Sequence, residues 1–535
     1  MEQKTKNKKK GVFIGSAVVL SVAVAVALVF TTPMLVNAAM RSFASPAEYY
    51  RYIEERAAKE TISDLGEWYE KGIEKYFGSD NVKEEAEVVF EIGDGLRELL
   101  ASLTEAEFPE ADTVSFLYEA VSEANGSKGA MESVFKIDDT EVIHSDLMYD
   151  AEEETIYTRI PELTEDVLAI EAFDVLGAVN EGTTDYEAKL MQICESLPEK
   201  KQAEKLVRRY VELALDCIET VEVGEGTVEA GDVDGEYTEI VVTLDGETLQ
   251  KIAETVLEEL QEDEEVEQLV KEISLASGST DADESYEQFL EEAEELLSQV
   301  EEYGESEEAG IEMTLWVDNQ GDVVGRRFVF ADGTEFFYAV LVDGKEIGCE
   351  VSVKTYGIKI SLEGEGKRKR ELFSGTFKLK GLGFSVAEFE VTDFDLQQFR
   401  KGYINGTVKI SPVGTLRSSL KELAVNGDTT FEDAAVILTV DNNKKQTAFS
   451  LVMENDEQPF ASLSVVSKSG KGGSVELPDK KDVTVFSNEE EFNEWFETAN
   501  TETIFDRLEQ AGVSREWLEE VREKLTEEEE PQYEW

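Results

Sequence analysis

The chain has 535 residues, 41% of them hydrophobic and 9% aromatic, which suffices for one large or two medium cores and excludes wholesale disorder. Its 119 acids against 50 bases give a formal charge of −69, which repels nucleic acid and anionic head groups. Three cysteines (Cys194, Cys217 and Cys349) with no CxxC exclude a disulfide framework and a zinc ribbon; Cys194 and Cys217 flank a helical stretch and either pair or stand as single buried thiols.

Residues 1–10 form a basic segment with five lysines and one glutamate, and no further charge occurs before Arg41. Residues 11–30 are almost wholly apolar, enough to cross a bilayer core of about 30 Å at about 1.5 Å per residue. The lysines place that flank in the cytoplasm. Two readings follow. A transmembrane anchor over 11–36 is supported by the length of the run; a signal peptide cleaved near Ala38 is supported by Pro33 and the small-residue site Val36-Asn37-Ala38. No cysteine lies near this end, which excludes a lipid-modified anchor. Either way residues 40–535 are expected outside the cell membrane as one large α+β unit, because no Pro/Ser/Gly-rich linker divides them.

Ser45-Pro46 is an N-cap followed by proline at the first helical position, opening a long helix over 46–77. Successive strands are expected over 84–160, separated by Asn125-Gly126, Asp138-Asp139 and Asp150-Ala151. A helical insert spans 186–302, with one strand near 237–244. In it Leu249, Ile252, Ala253, Val256, Leu257 and Leu260 recur at the period of a helix face. From 309 to 485 the chain is strand-rich: Ile358, Ile360 and Leu362 alternate with polar residues, as do Val436, Leu438 and Val440 with their neighbours. Turn signals at Asn319-Gln320-Gly321, Asp332-Gly333 and Asp343-Gly344 join these strands as hairpins. Helices return over 487–526, opened by a Ser487/Glu490 capping box, and 527–535 is an acidic tail. The expected class is α+β: a large curved antiparallel sheet, half-barrel-like, with amphipathic helices on one face, preceded by a transmembrane helix.

The chemistry-bearing residues are sparse. The single histidine, His144, stands in a strand pattern with no second histidine to form a metal site, and reads as an ordinary sheet residue. The acid-dense segments 232–236 and 281–284 lack the glycine and glutamate spacing of a calcium loop, and read as turn or helix-start chemistry. Lys367-Arg368-Lys369-Arg370 is the one strong basic run; it reads as a hairpin tip able to touch an anionic envelope component. Asn125-Gly126-Ser127 and Asn405-Gly406-Thr407 match a glycosylation sequon but also hairpin turns. Paired carboxylates can hydrolyse glycosides, but 119 acids make their spacing uninformative. No catalytic, metal or cofactor residue is assigned, and no cofactor is expected.

Residues 147–163, with the run Leu147-Met148-Tyr149-Asp150 and later Ile160-Pro161-Glu162-Leu163, resemble a hairpin of uncharacterised membrane-anchored exported proteins of Gram-positive bacteria. Residues 315–327, with Asp318-Asn319-Gln320-Gly321, are similar to a hairpin of those proteins and of LolA/LppX-type envelope lipoproteins. The second resemblance implies a curved half-barrel closing over helices around an apolar cavity. The expected function is a non-enzymatic, membrane-anchored extracellular protein, with the membrane and a lipid or envelope component as partners and no nucleic acid. On that reading Ile358, Ile360, Leu438 and Val440 wall a cavity. The alternatives are an interaction module with a filled core and a carboxylate-based hydrolase.

Overall fold

A computed structural model describes residues 34–77, 81–98, 111–123, 127–150, 153, 155–171, 193, 196–279, 281–304, 310–422, 433–479, 481, 483–486, 491, 495, 499–515 and 518. The chain opens with α1 (Met34–Phe43) and α2 (Pro46–Phe77). The strands β1 (Val82–Ile92), β2 (Thr113–Ser122), β3 (Lys128–Ile137), β4 (Thr140–Asp150), β5 (Thr155–Arg159) and β6 (Val167–Glu171) come next. Helix α3 (Lys200–Asp216) leads to the hairpin β7 (Val221–Ala230) and β8 (Val233–Asp245), then to α4 (Gly246–Glu262), α5 (Glu264–Ala276) and α6 (Ala282–Gly304). Six hairpin-linked strands follow: β9 (Gly310–Val317), β10 (Val323–Phe330), β11 (Glu335–Asp343), β12 (Glu346–Thr355), β13 (Ile358–Lys369) and β14 (Leu372–Gly381). The remaining elements are β15 (Phe384–Asp395), α7 (Leu396–Arg400), β16 (Asn405–Pro412), α8 (Gly414–Glu422), β17 (Ala435–Asn443), β18 (Gln446–Asn455), β19 (Gln458–Lys471), β20 (Val483–Phe486) and α9 (Glu502–Gln510).

These elements fall into two compact units, the first comprising Met1–Tyr76, Thr184–Val386 and Asp395–Gly402, the second Phe77–Thr183, Ala387–Phe394 and Tyr403–Trp535. One undivided unit was the expectation from linker composition. Two of the chain's crossings fall inside or beside strand β15, where regular backbone carries no linker signature. Among the described residues no helix is long and apolar enough to cross a membrane; residues 11–30 lie outside them.

In the first unit the ladder runs β7-β8-β9-β10-β11-β12-β13-β14, all antiparallel. Ser45 and Glu48 cap α2 reciprocally: the Glu48 amide donates to Ser45 Oγ at 3.3 Å, and the Ser45 amide to Glu48 Oε2 at 2.8 Å. Spacing then turns Tyr49, Tyr50, Ile53, Ala58 and Ile62 onto one side of α2, where they pack on Ile240, Val242, Met313 and Leu315 of the sheet and Val211 and Leu215 of α3. Each such buried side chain stabilises by roughly 1.5–3 kcal/mol. A second helical layer, α4 to α6, packs on α3 through Tyr210, Leu260, Val266 and Phe289. The other sheet face rolls upon itself: Val228, Ala230 and Val233 of the β7–β8 hairpin meet Trp316, Ala339 and Leu341.

Glycine permits that roll. A Cβ on Gly348 would stand 2.0 Å from the Ala230 carbonyl oxygen, and one on Gly231, at φ +58°, would stand 2.4 Å from that of Gly364. Gly348→Ala is therefore expected to destabilise the unit by about 1–3 kcal/mol, read as a lowered melting temperature. An unchanged melting temperature would mean that the hairpin does not close on β12.

In the second unit the ladder is β15-β16-β17-β18-β19-β1-β2-β3-β4-β5-β6-β20. The pair β6–β20 is parallel, so the sheet is mixed where a purely antiparallel one was expected; β20 joins the edge after a connection rather than through a hairpin. A small core forms where Val142 and Ile137 meet Ala511 and Val513, with Ile504 and Leu508 of α9 against it.

The insert expected over 186–302 is not helical throughout, since it contains β7 and the whole of β8. Gly224 and Gly226 interrupt the alternation in β7 and hide it from a periodicity reading. Short helices α7 and α8 likewise interrupt the strand-rich region 309–485. The Ser487/Glu490 capping box and the tail 527–535 lie outside the described residues.

Candidate functional site

The cross-strand register of the first unit assembles one continuous apolar surface from four strands. On β11 and β12, Tyr338 faces Val351, Val340 faces Cys349 and Val342 faces Ile347. On β12 and β13, Val351 faces Leu362, Val353 faces Ile360 and Thr355 faces Ile358, and Leu362 in turn faces Leu379 of β14. Residues opposite one another in an antiparallel pair share a face, so these side chains form one sheet surface.

Tyr338 and Ile347 are buried at its margins, and the rest of that surface is open. Val340, Val342, Val351, Val353, Ile358, Ile360 and Leu362 retain between 37% and 58% of their accessible area. On β11 the opposite face carries the buried Ala339 and Leu341, but on β12 and β13 it carries polar residues, and Ser352 and Ser361 there are buried, at 6% and 4% exposure. Lys359 pairs across it with Glu350 at 2.6 Å, and Lys380 pairs with Glu363. On β12 and β13 burial and polarity are thus inverted relative to an ordinary half-buried strand, in which the apolar row is the covered one. Leaving seven aliphatic side chains partly in water forgoes roughly 1 kcal/mol each.

Ile358 and Ile360 belong to this open face rather than to the wall of an enclosed cavity. Leu438 and Val440 belong to β17 of the second unit, where they are half-buried. Cys349 lies within the face, and burial pushes its thiol up to about 11, which leaves it protonated and unreactive at neutral pH. Cys217 is a buried free thiol directed at the Leu213 carbonyl, 3.4 Å away; Cys194 lies outside the described residues.

His144 is not an isolated sheet residue. Its backbone amide donates to Glu162 Oε2 at 3.1 Å, its Nδ1 lies 2.8 Å from Glu162 Oε1, and its Nε2 lies 3.2 Å from Glu141 Oε2. Arg507 of α9 also donates to Glu162 Oε1 and lies 3.4 Å from the His144 ring and from the Glu141 and Val142 carbonyls. Glu162, whose side chain is 1% exposed, thereby fastens α9 to β4. The sequence gives no signal for this cluster: Glu162 follows a proline in a turn, and Arg507 is 363 positions from His144.

The acid-dense segments do structural work. Asp281 Oδ1 accepts from the amides of Asp283 and Glu284 at 3.1 Å each and so opens α6. Asp232 sits in the β7–β8 turn, with Val233 already in the strand. Asn405 Oδ1 accepts the Asn442 amide within the β16–β17 ladder, while the sequon at Asn125 lies outside the described residues. The basic run occupies the end of β13 and the turn into β14, with Arg370 at φ +60°. Compared with known protein families and with curated proteins, the chain matches none.

Proposed function

We propose that the chain is a non-enzymatic protein tethered to the outer face of a cell membrane, and that the open face of β11 to β14 binds a lipid or another apolar ligand. The continuous row of exposed aliphatic side chains on that face is the observation that carries the reading. In the half-barrel comparison the ligand lies within the sheet's curve; here the roll is filled by Trp316, Ala339 and Leu341, so the ligand is placed on the other face. A retained tether rather than a cleaved leader is supported by Asn37, which is 3% exposed. The Tyr49 hydroxyl donates to its Oδ1 at 2.8 Å, and its Nδ2 reaches the Asp318 carbonyl oxygen at 3.4 Å. Cleavage at Ala38 would remove a residue built into the fold.

Native mass spectrometry of the full chain, released gently from a lipid-containing host, tests this reading. A reproducible added mass that solvent extraction identifies as lipid is expected, and Val353→Glu with Ile360→Glu should abolish it. Both positions are exposed, so the fold should survive the change. A clean apo mass with no uptake of added lipid would sink the ligand reading, and an N-terminus beginning after Ala38 would sink the tether.

A further inference from the structure

The apolar face has a charged end. Along β13 the residues on that face are Ile358, Ile360, Leu362, Gly364, Gly366 and then Arg368, so about 20 Å of strand separates Leu362 from a guanidinium. Arg368 lines a cavity of about 510 Å³ together with Glu371, Phe399, Arg400 and Lys401. Helix α7 supplies Phe399 and Arg400 and carries Lys401 as its C-cap. It is held there by the Leu396 amide, which donates to the Glu371 carbonyl oxygen at 3.0 Å, and by the edge contact of Phe399 with Trp68, centroids 5.4 Å apart.

Three cations and one carboxylate therefore face the same space, in a chain whose acids outnumber its bases 119 to 50. Arg368 spends part of its fork on Glu371 at 3.0 Å and on the Arg370 carbonyl oxygen at 2.7 Å, and Arg400 pairs with Glu60 at 3.0 Å. Lys401, and Lys369 and Arg370 in the adjoining turn, make no ion pair among the described residues. An unpaired ammonium and two partly engaged guanidinium groups lining a cavity of this size, with two further unpaired cations in the adjoining turn, suit an anion larger than a lone carboxylate. Guanidinium forks and an ammonium together match the several oxygens of a phosphate.

We infer that this cavity binds a phosphate or phosphodiester group. Resting on the lipid reading above, that group is the head of an anionic amphiphile whose chains lie on the β11 to β14 face. The phosphate site itself stands without the chains.

The test follows hydrogen exchange in the full chain, held in a zwitterionic amphipol, with three probes: inorganic phosphate, dioleoylphosphatidylglycerol, whose chains are long enough to reach Leu362 from the cavity, and uncharged dioleoylglycerol. Phosphate and the phospholipid should both slow exchange at 368–371 and 396–401, and Arg368→Gln with Lys401→Gln should weaken each by tenfold or more. The phospholipid should also slow exchange at 351–362. Protection by phosphate and by the phospholipid at the cavity alone would uphold the anion site and overturn the apolar face. The reverse pattern, in which uncharged dioleoylglycerol protects 351–362 as well as the phospholipid does while phosphate protects nothing, would overturn the anion site. Equal affinity for phosphate and phospholipid would make free phosphate the ligand and uphold the site.

Discussion

Replacing Glu54 by alanine is expected to lower the stability of the first unit by about 3–5 kcal/mol, the largest loss of any single substitution considered. Glu54 on α2 and Arg326 on β10 are both wholly buried. They meet through two parallel bonds, Nη1 to Oε1 at 2.5 Å and Nη2 to Oε2 at 2.7 Å. Two charged groups taken out of water are tolerated only because each stands in for the other's lost solvent. Removing the carboxylate leaves a guanidinium that cannot give up its proton and has no water to turn to. The pair itself need not be strongly stabilising relative to an apolar one, so Glu54→Leu with Arg326→Met should recover most of the loss. Urea unfolding of the native chain and the two variants decides it. A Glu54→Ala loss below about 1 kcal/mol would mean that the pair is not buried.

Glu162→Ala should cost the second unit about 2–3 kcal/mol, because it strands the Arg507 guanidinium and the His144 amide together. The same carboxylate makes that attachment sensitive to acid. Burial pulls its pKa upward, but the hydrogen bonds from the His144 ring and amide and the charge of Arg507 outweigh burial and hold it below the ordinary glutamate range. A depressed folded-state pKa gives stability that is complete above the unfolded value of about 4.3 and is lost as pH falls through the folded value. The stability gap between the native chain and Glu162→Gln should therefore be full at neutral pH and close below about pH 4. A gap that widens in acid would assign Glu162 the opposite shift.

Much of the local structure is legible in the sequence, because its causes are local. Ser45-Pro46 with Glu48 specifies the start of α2 by capping chemistry alone, and Asp332-Gly333 and Asp343-Gly344 mark the tips of real hairpins. The alternation of Ile358, Ile360 and Leu362 identifies a strand. Period two says which residues share a face; it does not say which face is covered. Only the fold shows that Ser352 and Ser361 are enclosed while their apolar neighbours are open. The ion pairs lie beyond sequence reading for another reason. Glu54 and Arg326 are 272 positions apart, and 119 acids offer no means of choosing the one that is buried. The cationic cavity is half visible, as the run 367–370; its other half comes from Arg400 and Lys401, at the end of a five-residue helix too short to announce itself.

The seating of Asn37 bears on how far the first unit can stray from its point of attachment. If residues 11–30 span the bilayer as proposed, the seven peptide steps from residue 30 to Asn37 reach at most about 25 Å, even fully extended. A tether this short confines the unit to a thin shell above the membrane and restricts its tumbling there. The lipids beneath it then act at a high effective concentration, so modest intrinsic affinity at the binding face suffices for occupancy. Inserting a flexible spacer before Met34 would relax that confinement without touching the binding face.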